Sequence, residues 1–193
     1  MTVNIYGTLP DQPAIIVCRH VSYADGPLLA ALLGKPCLFA VSPRFSGREP
    51  WRSLLRAYGR LAGGHTMVPL SPDQPMSLKT LLRHLDRGGR VVIFPEGDIS
   101  PDGAPLPIQP GAAALWVRSG VDLVPIRYAG AEHWRFLAPA GKHWLPRVDV
   151  EIGEGIPAPA TTRSALEQIE SVLYRSPVGL RNERKRVYIP SVN

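Results

Sequence analysis

Two segments of this chain, Ile15-Ile16-Val17 and Val91-Val92-Ile93-Phe94, are apolar at every consecutive position, and they constrain the fold more than any other feature. A strand with one wet face alternates apolar and polar residues, whereas an unbroken apolar run needs cover on both faces, the condition of a central strand in a parallel sheet. The two segments sit in strand-like runs at 14–18 and 90–94, and further runs fall at 37–41, 66–70, 122–128 and 147–152, bounded mostly by Gly, Pro or charged residues. Between several of them helical spacing takes over. Leu78, Leu81, Leu82 and Leu85 recur every three or four residues ahead of Gly88-Gly89, and Leu166, Ile169, Val172 and Leu173 mark another helix. A Pro-rich loop over 101–110 precedes a short Ala-rich helix that opens at Gly111. Strands alternating with helices predict an α/β fold with a mostly parallel or mixed central sheet flanked by helices. At 193 residues the chain is expected to form one domain, 1–193, with a basic C-terminal tail from about 177.

Composition narrows the function classes. A hydrophobic content of 45% suits a folded globular core. No apolar run reaches the roughly 20 residues of a membrane-spanning helix, and residues 1–10 lack the basic-then-apolar pattern of a secretory leader. Cys18 and Cys37 are the only cysteines, and both lie in apolar runs, which leaves no disulfide framework or cysteine zinc site. A reducing cytoplasm is the expected location. The net charge of +6 favours anionic partners, but no nucleic-acid reading motif accompanies it, and a nucleic-acid partner is not expected.

In doubly wound folds reactive groups gather beyond the carboxyl ends of strands, which directs attention to 19–25 and 95–100. After the first of these runs comes Arg19-His20-Val21-Ser22-Tyr23-Ala24-Asp25. Ser22 with Asp25 three residues later is a helix capping box; the same turn also brings a carboxylate beside His20, where it can hold one ring nitrogen while the other takes a proton. The positive end of the helix disfavours the imidazolium, and Asp25 pulls the other way. After the fourth run comes Phe94-Pro95-Glu96-Gly97. A Glu directly after a buried strand, followed by a Gly that lets another group approach, is costly unless it serves a site or is paired with a neighbouring Arg.

His20-x4-Asp25, Phe94-Pro95-Glu96-Gly97 and Val124-Pro125-Ile126, in this order, resemble the motifs of the 1-acylglycerol-3-phosphate acyltransferase superfamily. More narrowly, Val68-Pro69-Leu70-Ser71-Pro72-Asp73-Gln74-Pro75-Met76 followed by 91–97 resembles the acyltransferase half of bacterial 2-acylglycerophosphoethanolamine acyltransferase/acyl-carrier-protein synthetase. The likeness runs from about residue 5 to 152. It implies a glycerolipid acyltransferase-like fold and an O-acyltransferase that moves a fatty acyl group from acyl-CoA or acyl-carrier protein to a lysophospholipid-like hydroxyl. His20 would then be the general base, Asp25 its orienting partner, and Glu96 and Gly97 part of the acceptor site. No metal or cofactor beyond the thioester co-substrate is implied.

The sequence departs from that pattern where phosphate is usually bound. The superfamily commonly continues Phe-Pro-Glu-Gly with Thr-Arg-Ser, and here Asp98-Ile99-Ser100 follows; the arginine of the second motif is also missing near Leu70-Ser71. An Asp beside the acceptor repels phosphate, which argues against lysophosphatidate. Lys79 and Arg127, and also Arg19, are candidates for replacement charge, with ordinary exposed charge as the plainer reading. Two alternatives therefore stay open: an acyltransferase with a non-phosphate acceptor, and a degenerate lipid- or acyl-carrier-binding module.

Trp51, Leu54, Leu55, Tyr58 and Leu61 share one helical face and Arg52, Arg56 and Arg60 another, the pattern of a helix with one buried face or of one docking to anionic lipid or an acidic carrier protein. Trp134-Arg135-Phe136-Leu137 with Lys142 and Trp144-Leu145 mixes aromatic and basic residues as the membrane interface does, or anchors a loop. Membrane contact, where it occurs, is expected to be peripheral, at the inner face. Cys18 reads as an inert buried thiol, and His65, His84, His133 and His143 as surface or locally bonded histidines without metal-ligand spacing.

Overall fold

A computed structural model of the chain describes residues 2–41, 51–70, 75–144 and 146–174. The basic tail from 177, Ser71 to Gln74 of the narrower motif, and Leu145 lie outside the described residues, as do the side chains of Trp51, Arg52, Leu54, Leu55 and Arg56. Seven strands form one sheet: β1 (Thr2–Tyr6), β2 (Ala14–Cys18), β3 (Leu38–Val41), β4 (Thr66–Pro69), β5 (Arg90–Ile93), β6 (Asp122–Ala129) and β7 (Arg147–Ile152). Among the described residues five α-helices accompany them: α1 (Asp25–Leu32), α2 (Trp51–Leu61), α3 (Pro75–Asp86), α4 (Pro110–Ser119) and α5 (Thr162–Leu173). The spatial order is β1-β7-β6-β2-β5-β3-β4, and every pairing is parallel except β6 with β7. The expected α/β fold is therefore present, with a mixed sheet.

The two unbroken apolar runs are explained by this order. β2 and β5 are adjacent central strands, paired from Ala14 with Arg90 to Val17 with Ile93. Successive side chains in a strand point to opposite faces. Ile15, Val17, Val91 and Ile93 pack with Leu81, Leu85, Trp116 and Ile169 of α3, α4 and α5. Ile16, Cys18 and Val92 point the other way, into a second core with Leu29, Ala30 and Leu33 beside α1. Every position of the two apolar runs, 15–17 and 91–94, faces a hydrophobic layer, so none is polar.

β1 was not expected from the sequence; the run at 14–18 is the second strand. It is an edge strand, parallel to β7, and only Ile5 within it is buried, so its apolar signal is weak. Pro125, near the middle of β6, is tolerated for a local reason. Leu123 N–H donates to Ile156 O and Gly153 N–H to Pro125 O, which turns this part of β6 toward the segment that follows β7. Pro125 keeps its register with Val17 of β2, while the ladder with β7 stops at Ile126, next to the missing amide. Gly153 is required there, since a Cβ would come within 2.8 Å of Pro125 Cγ.

α2 corrects one reading of its stripe. At its described end Leu61 is 87% exposed and Tyr58 is also exposed, so the apolar face is not buried throughout. The helix approaches the sheet through Gly59, where a Cβ would stand 3.0 Å from His65 O.

The packing of α3 against β3 and β5 makes Leu81, fully buried in the first core, a test of this arrangement. Leu81→Ala is expected to lower unfolding free energy by about 2–5 kcal/mol in denaturant titration. A change below about 0.5 kcal/mol, the ordinary range of a surface substitution, would contradict the placement.

Candidate active site

β2 and β5 end side by side, and the segments that leave them meet. His20 follows β2 and packs its ring against Phe94, with centroids 4.4 Å apart and 24° between planes. Its Nδ1 lies 3.1 Å from Asp25 Oδ2. Asp25 begins α1 and its side chain is 0% exposed, whereas that of His20 is 18% exposed. The buried carboxylate also accepts from Val21 N–H at 2.7 Å, from Ser22 N–H at 2.8 Å and from the Ser22 hydroxyl at 2.5 Å. Burying a carboxylate is costly unless donors of this kind satisfy it, and the positive end of α1 adds to them.

The capping box and the His–Asp pair prove to be one arrangement. Asp25 reaches back to the Ser22 amide, while the Ser22 hydroxyl accepts from Ala24 N–H at 3.2 Å. The regular helix begins a little later than a box at Ser22 implies, with Ala24 at its N-cap. With Nδ1 facing a carboxylate, the neutral ring carries its proton there and keeps the lone pair on Nε2.

Glu96 is buried, and its carboxylate faces protein on all sides. Oε2 accepts from His20 N–H at 2.9 Å; Oε1 accepts from Leu106 N–H at 3.1 Å and the Tyr174 hydroxyl at 3.1 Å, with Arg19 Nε at 3.4 Å. Of the two readings of this Glu, the strand-end carboxylate paired to an Arg matches what the structure holds. Arg19 is further engaged by Gly103 O at 2.9 Å and lies 5.3 Å from the centre of the Tyr174 ring. The Tyr174 hydroxyl also meets Leu106 O, and burial first, then the Glu96 carboxylate, hold its pKa well above the ordinary value.

A cavity of about 910 Å³ opens in front of His20. Its wall is mainly apolar, with Leu28, Ala31, Phe39, Val41, Met67 and Phe94 among the lining residues, and Gly97, Asp98 and Ile99 close one side. Among the described lining residues none is Lys or Arg. Gly97 has φ +76°, and a Cβ there would stand 3.1 Å from Gln109 Cγ, so both turn and space favour Gly.

The other expected residues lie elsewhere. Lys79 is exposed on α3 and does not line the cavity. Arg127 sits on β6 in a two-point pair with Glu151 at 2.7 and 3.2 Å and donates to Val172 O at 3.2 Å. Neither is brought to His20. Cys18 is buried, and burial, followed by the Asp25 and Glu96 carboxylates, pushes its thiol well up, in keeping with an inert role. His65 is buried and locally bonded: Nδ1 accepts from Cys37 N–H at 3.1 Å and Nε2 faces Ala30 O at 2.8 Å, joining β3 to α1 beneath the cavity. His133 and His143 form an exposed edge-to-face pair at 5.8 Å.

From the sequence Phe94 had a place in its motif but no role of its own, and Tyr174 was not singled out. Phe94 carried a signal, being the residue just before Pro95-Glu96-Gly97. Tyr174 had none, since it lies 78 residues beyond Glu96 at the end of an unrelated helix.

The Glu96 cluster gives a measurable expectation. Glu96→Ala strips the acceptor from the His20 and Leu106 amides and from Arg19, and is expected to cost about 3–5 kcal/mol of stability. Tyr174→Phe removes one hydroxyl and should cost about 1 kcal/mol. Equal losses in chemical denaturation would refute this ranking.

A family described as "Acyltransferase" matches residues 2–129, a span that holds His20, Asp25, Glu96 and Gly97. The chain is 32% identical over 136 residues to a chloroplastic 1-acyl-sn-glycerol-3-phosphate acyltransferase of Arabidopsis thaliana, an alignment covering 66% of this chain and 36% of the plant protein. The chain thus spans little more than a third of that relative. In fold it is similar to the crystal structure of the 1-acyl-sn-glycerophosphate acyltransferase PlsC of Thermotoga maritima, with a TM-score of 0.69 at 21% identity, covering 94% of this chain and 73% of the other. With the family match spanning the greater part of its length, this chain belongs to the acyltransferase family.

Proposed function

We propose that the chain is an O-acyltransferase of the glycerolipid type that takes a fatty acyl group from an acyl-CoA or acyl-carrier-protein thioester and places it on a hydroxyl of a lysophospholipid-like acceptor. The observation that carries this reading is the His20 ring held 3.1 Å from buried Asp25 on the wall of a large apolar cavity. His20 Nε2 takes the acceptor hydroxyl proton as the oxygen attacks the thioester carbonyl. Collapse of the tetrahedral intermediate expels the thiolate, which recovers that proton from the imidazolium. Asp25 keeps the ring oriented and stabilises its charged form, while the apolar wall receives the acyl chain at about 0.8 kcal/mol per buried methylene.

Glu96 supports this chemistry by fixing the His20 backbone. Its side chain is fully buried, is met by four protein donors and does not line the cavity, which favours that role over direct acceptor binding. The likeness of 68–76 to the bacterial 2-acylglycerophosphoethanolamine acyltransferase half supports acyl-carrier protein as a donor. A second reading, an acyltransferase whose acceptor is not clamped through a phosphate, is favoured by Asp98 on the cavity wall and by the lack of Lys or Arg among the described lining residues.

The test is to supply thioester with a panel of lysophosphatidate, lysophosphatidylethanolamine and uncharged hydroxyl acceptors, and to follow free thiol and acylated product together. His20→Ala is expected to lower turnover by about 10²–10⁴ fold, with Asp25→Asn also strongly impaired. Wild-type turnover in His20→Ala, or binding of thioester without any product, would refute the assignment.

A further inference from the structure

Among the described residues, the large exposed aromatic side chains collect at one place, the rim of the cavity. Tyr23, Tyr58 and Phe136 line the cavity yet are 54%, 37% and 63% exposed. Trp144, 64% exposed, packs edge-on against Phe136 with centroids 4.9 Å apart. Separate segments are tied together there: Tyr23 N–H donates to Leu137 O at 2.6 Å, and the Tyr58 hydroxyl donates to Pro27 O at 2.9 Å. The segment bearing Phe136 and Trp144 is itself folded, with Arg135 N–H bonded to His143 O and His143 N–H to His133 O, each at 2.8 Å. A clustered apolar rim of this kind marks a surface that another phase or molecule covers.

Its charge selects the partner. Residues 133–144 contain Arg135 and Lys142 and no acidic residue. The Arg135 guanidinium lies 5.4 Å from the Trp144 ring centre, and Lys142 is exposed. Glu132, the nearest acidic neighbour in sequence, is taken up by Gly130 N–H at 2.9 Å. Aromatic rings flanked by cations match the headgroup layer of a bilayer, where rings sit among glycerol and carbonyl groups and cations meet phosphate.

We propose that this rim docks the protein on an anionic lipid bilayer, with Phe136 and Trp144 seated in the headgroup layer, Arg135 and Lys142 against lipid phosphates, and the His20 cavity opening toward the leaflet. No helix among the described residues is long and apolar enough to cross a membrane, and the contact proposed is one made by the side chains of the rim. The proposal borrows from the acyl-transfer reading only the reason for the cavity to face lipid; the docking rests on the rim.

The experiment is co-sedimentation of the full chain with vesicles of phosphatidylcholine alone, and with vesicles that also contain phosphatidylglycerol. Binding should favour the anionic vesicles and weaken with salt. Arg135→Glu/Lys142→Glu should bind them more than about tenfold less tightly, since each basic residue near an anionic surface is worth about fivefold. Trp144→Ser should lose affinity even at high salt, because its contribution is apolar. None of Arg135, Lys142 and Trp144 itself lines the cavity, and both variants should keep wild-type turnover on detergent-dispersed substrates. Unchanged vesicle binding in both variants overturns the proposal. So does wild-type protein that ignores vesicles, whether its rim instead holds a second copy, seen as a dimer lost in Trp144→Ser, or an acyl-carrier protein. Vesicle binding lost in the variants while wild-type protein transfers no acyl group leaves the docking in place and removes the acyl-transfer reading.

Discussion

The geometry at the strand ends depends on two carboxylates that are kept out of water. Asp25 and Glu96 stand behind His20, one holding its ring and the other its main-chain amide. Each is stabilised by donors fixed in the backbone: the 21 and 22 amides for Asp25, the 20 and 106 amides for Glu96. Taking either charge from water costs several kcal/mol, a cost offset only while those donors keep their places. The turn after β2 and the loop after β5 are therefore coupled: neither can relax without leaving a buried charge or a buried amide unpaired.

This coupling reaches further than the two loops. Through Arg19, Gly103, Leu106 and Tyr174, the same cluster joins the long loop ahead of α4 to the end of α5. Leu173 and Ile169 anchor α5 in the core under the sheet, so the Tyr174 hydroxyl is delivered to Glu96 by a rigid element. An imidazole stacked on Phe94, bonded at Nδ1 and held at its amide loses few degrees of freedom when it meets substrate. Pre-arranged orientation of that kind is a large part of what an acid/base site contributes.

The sequence disclosed the parts of this design whose signal is local. Central strands were legible because cover on both faces leaves no polar position, and His20 with Asp25 because five residues span one turn. β1 was not legible, since an edge strand with one buried side chain has almost no pattern. Glu96 was visible as an anomaly, but its direction was not: motif spacing cannot tell a carboxylate that faces ligand from one that faces the amide of the residue it serves. Arg127 and Lys79 show the same limit, for a basic residue near a motif in sequence is placed by its own strand or helix, and here a pair with Glu151 holds Arg127 away from His20. α2 carried the helical period correctly and still left Leu61 in water, because period reports that a face exists and not what covers it.

The exposed rings and the buried carboxylates answer one electrostatic problem. A base that takes a proton from a hydroxyl works best in a dry, apolar setting, where its partner charge is undiluted, yet such a setting repels the polar acceptor it must receive. Placing Asp25 behind the ring and the apolar wall in front confines the charge to the protein side and leaves the open side suited to a chain of methylenes. On the proposed docking, a rim of aromatic and basic residues then gives the polar end of an amphiphile a boundary at which to stop. On the proposed acyl transfer, acceptor choice falls to the loop after β5, which places Gly97, Asp98 and Ile99 on the cavity wall, and not to the His–Asp pair.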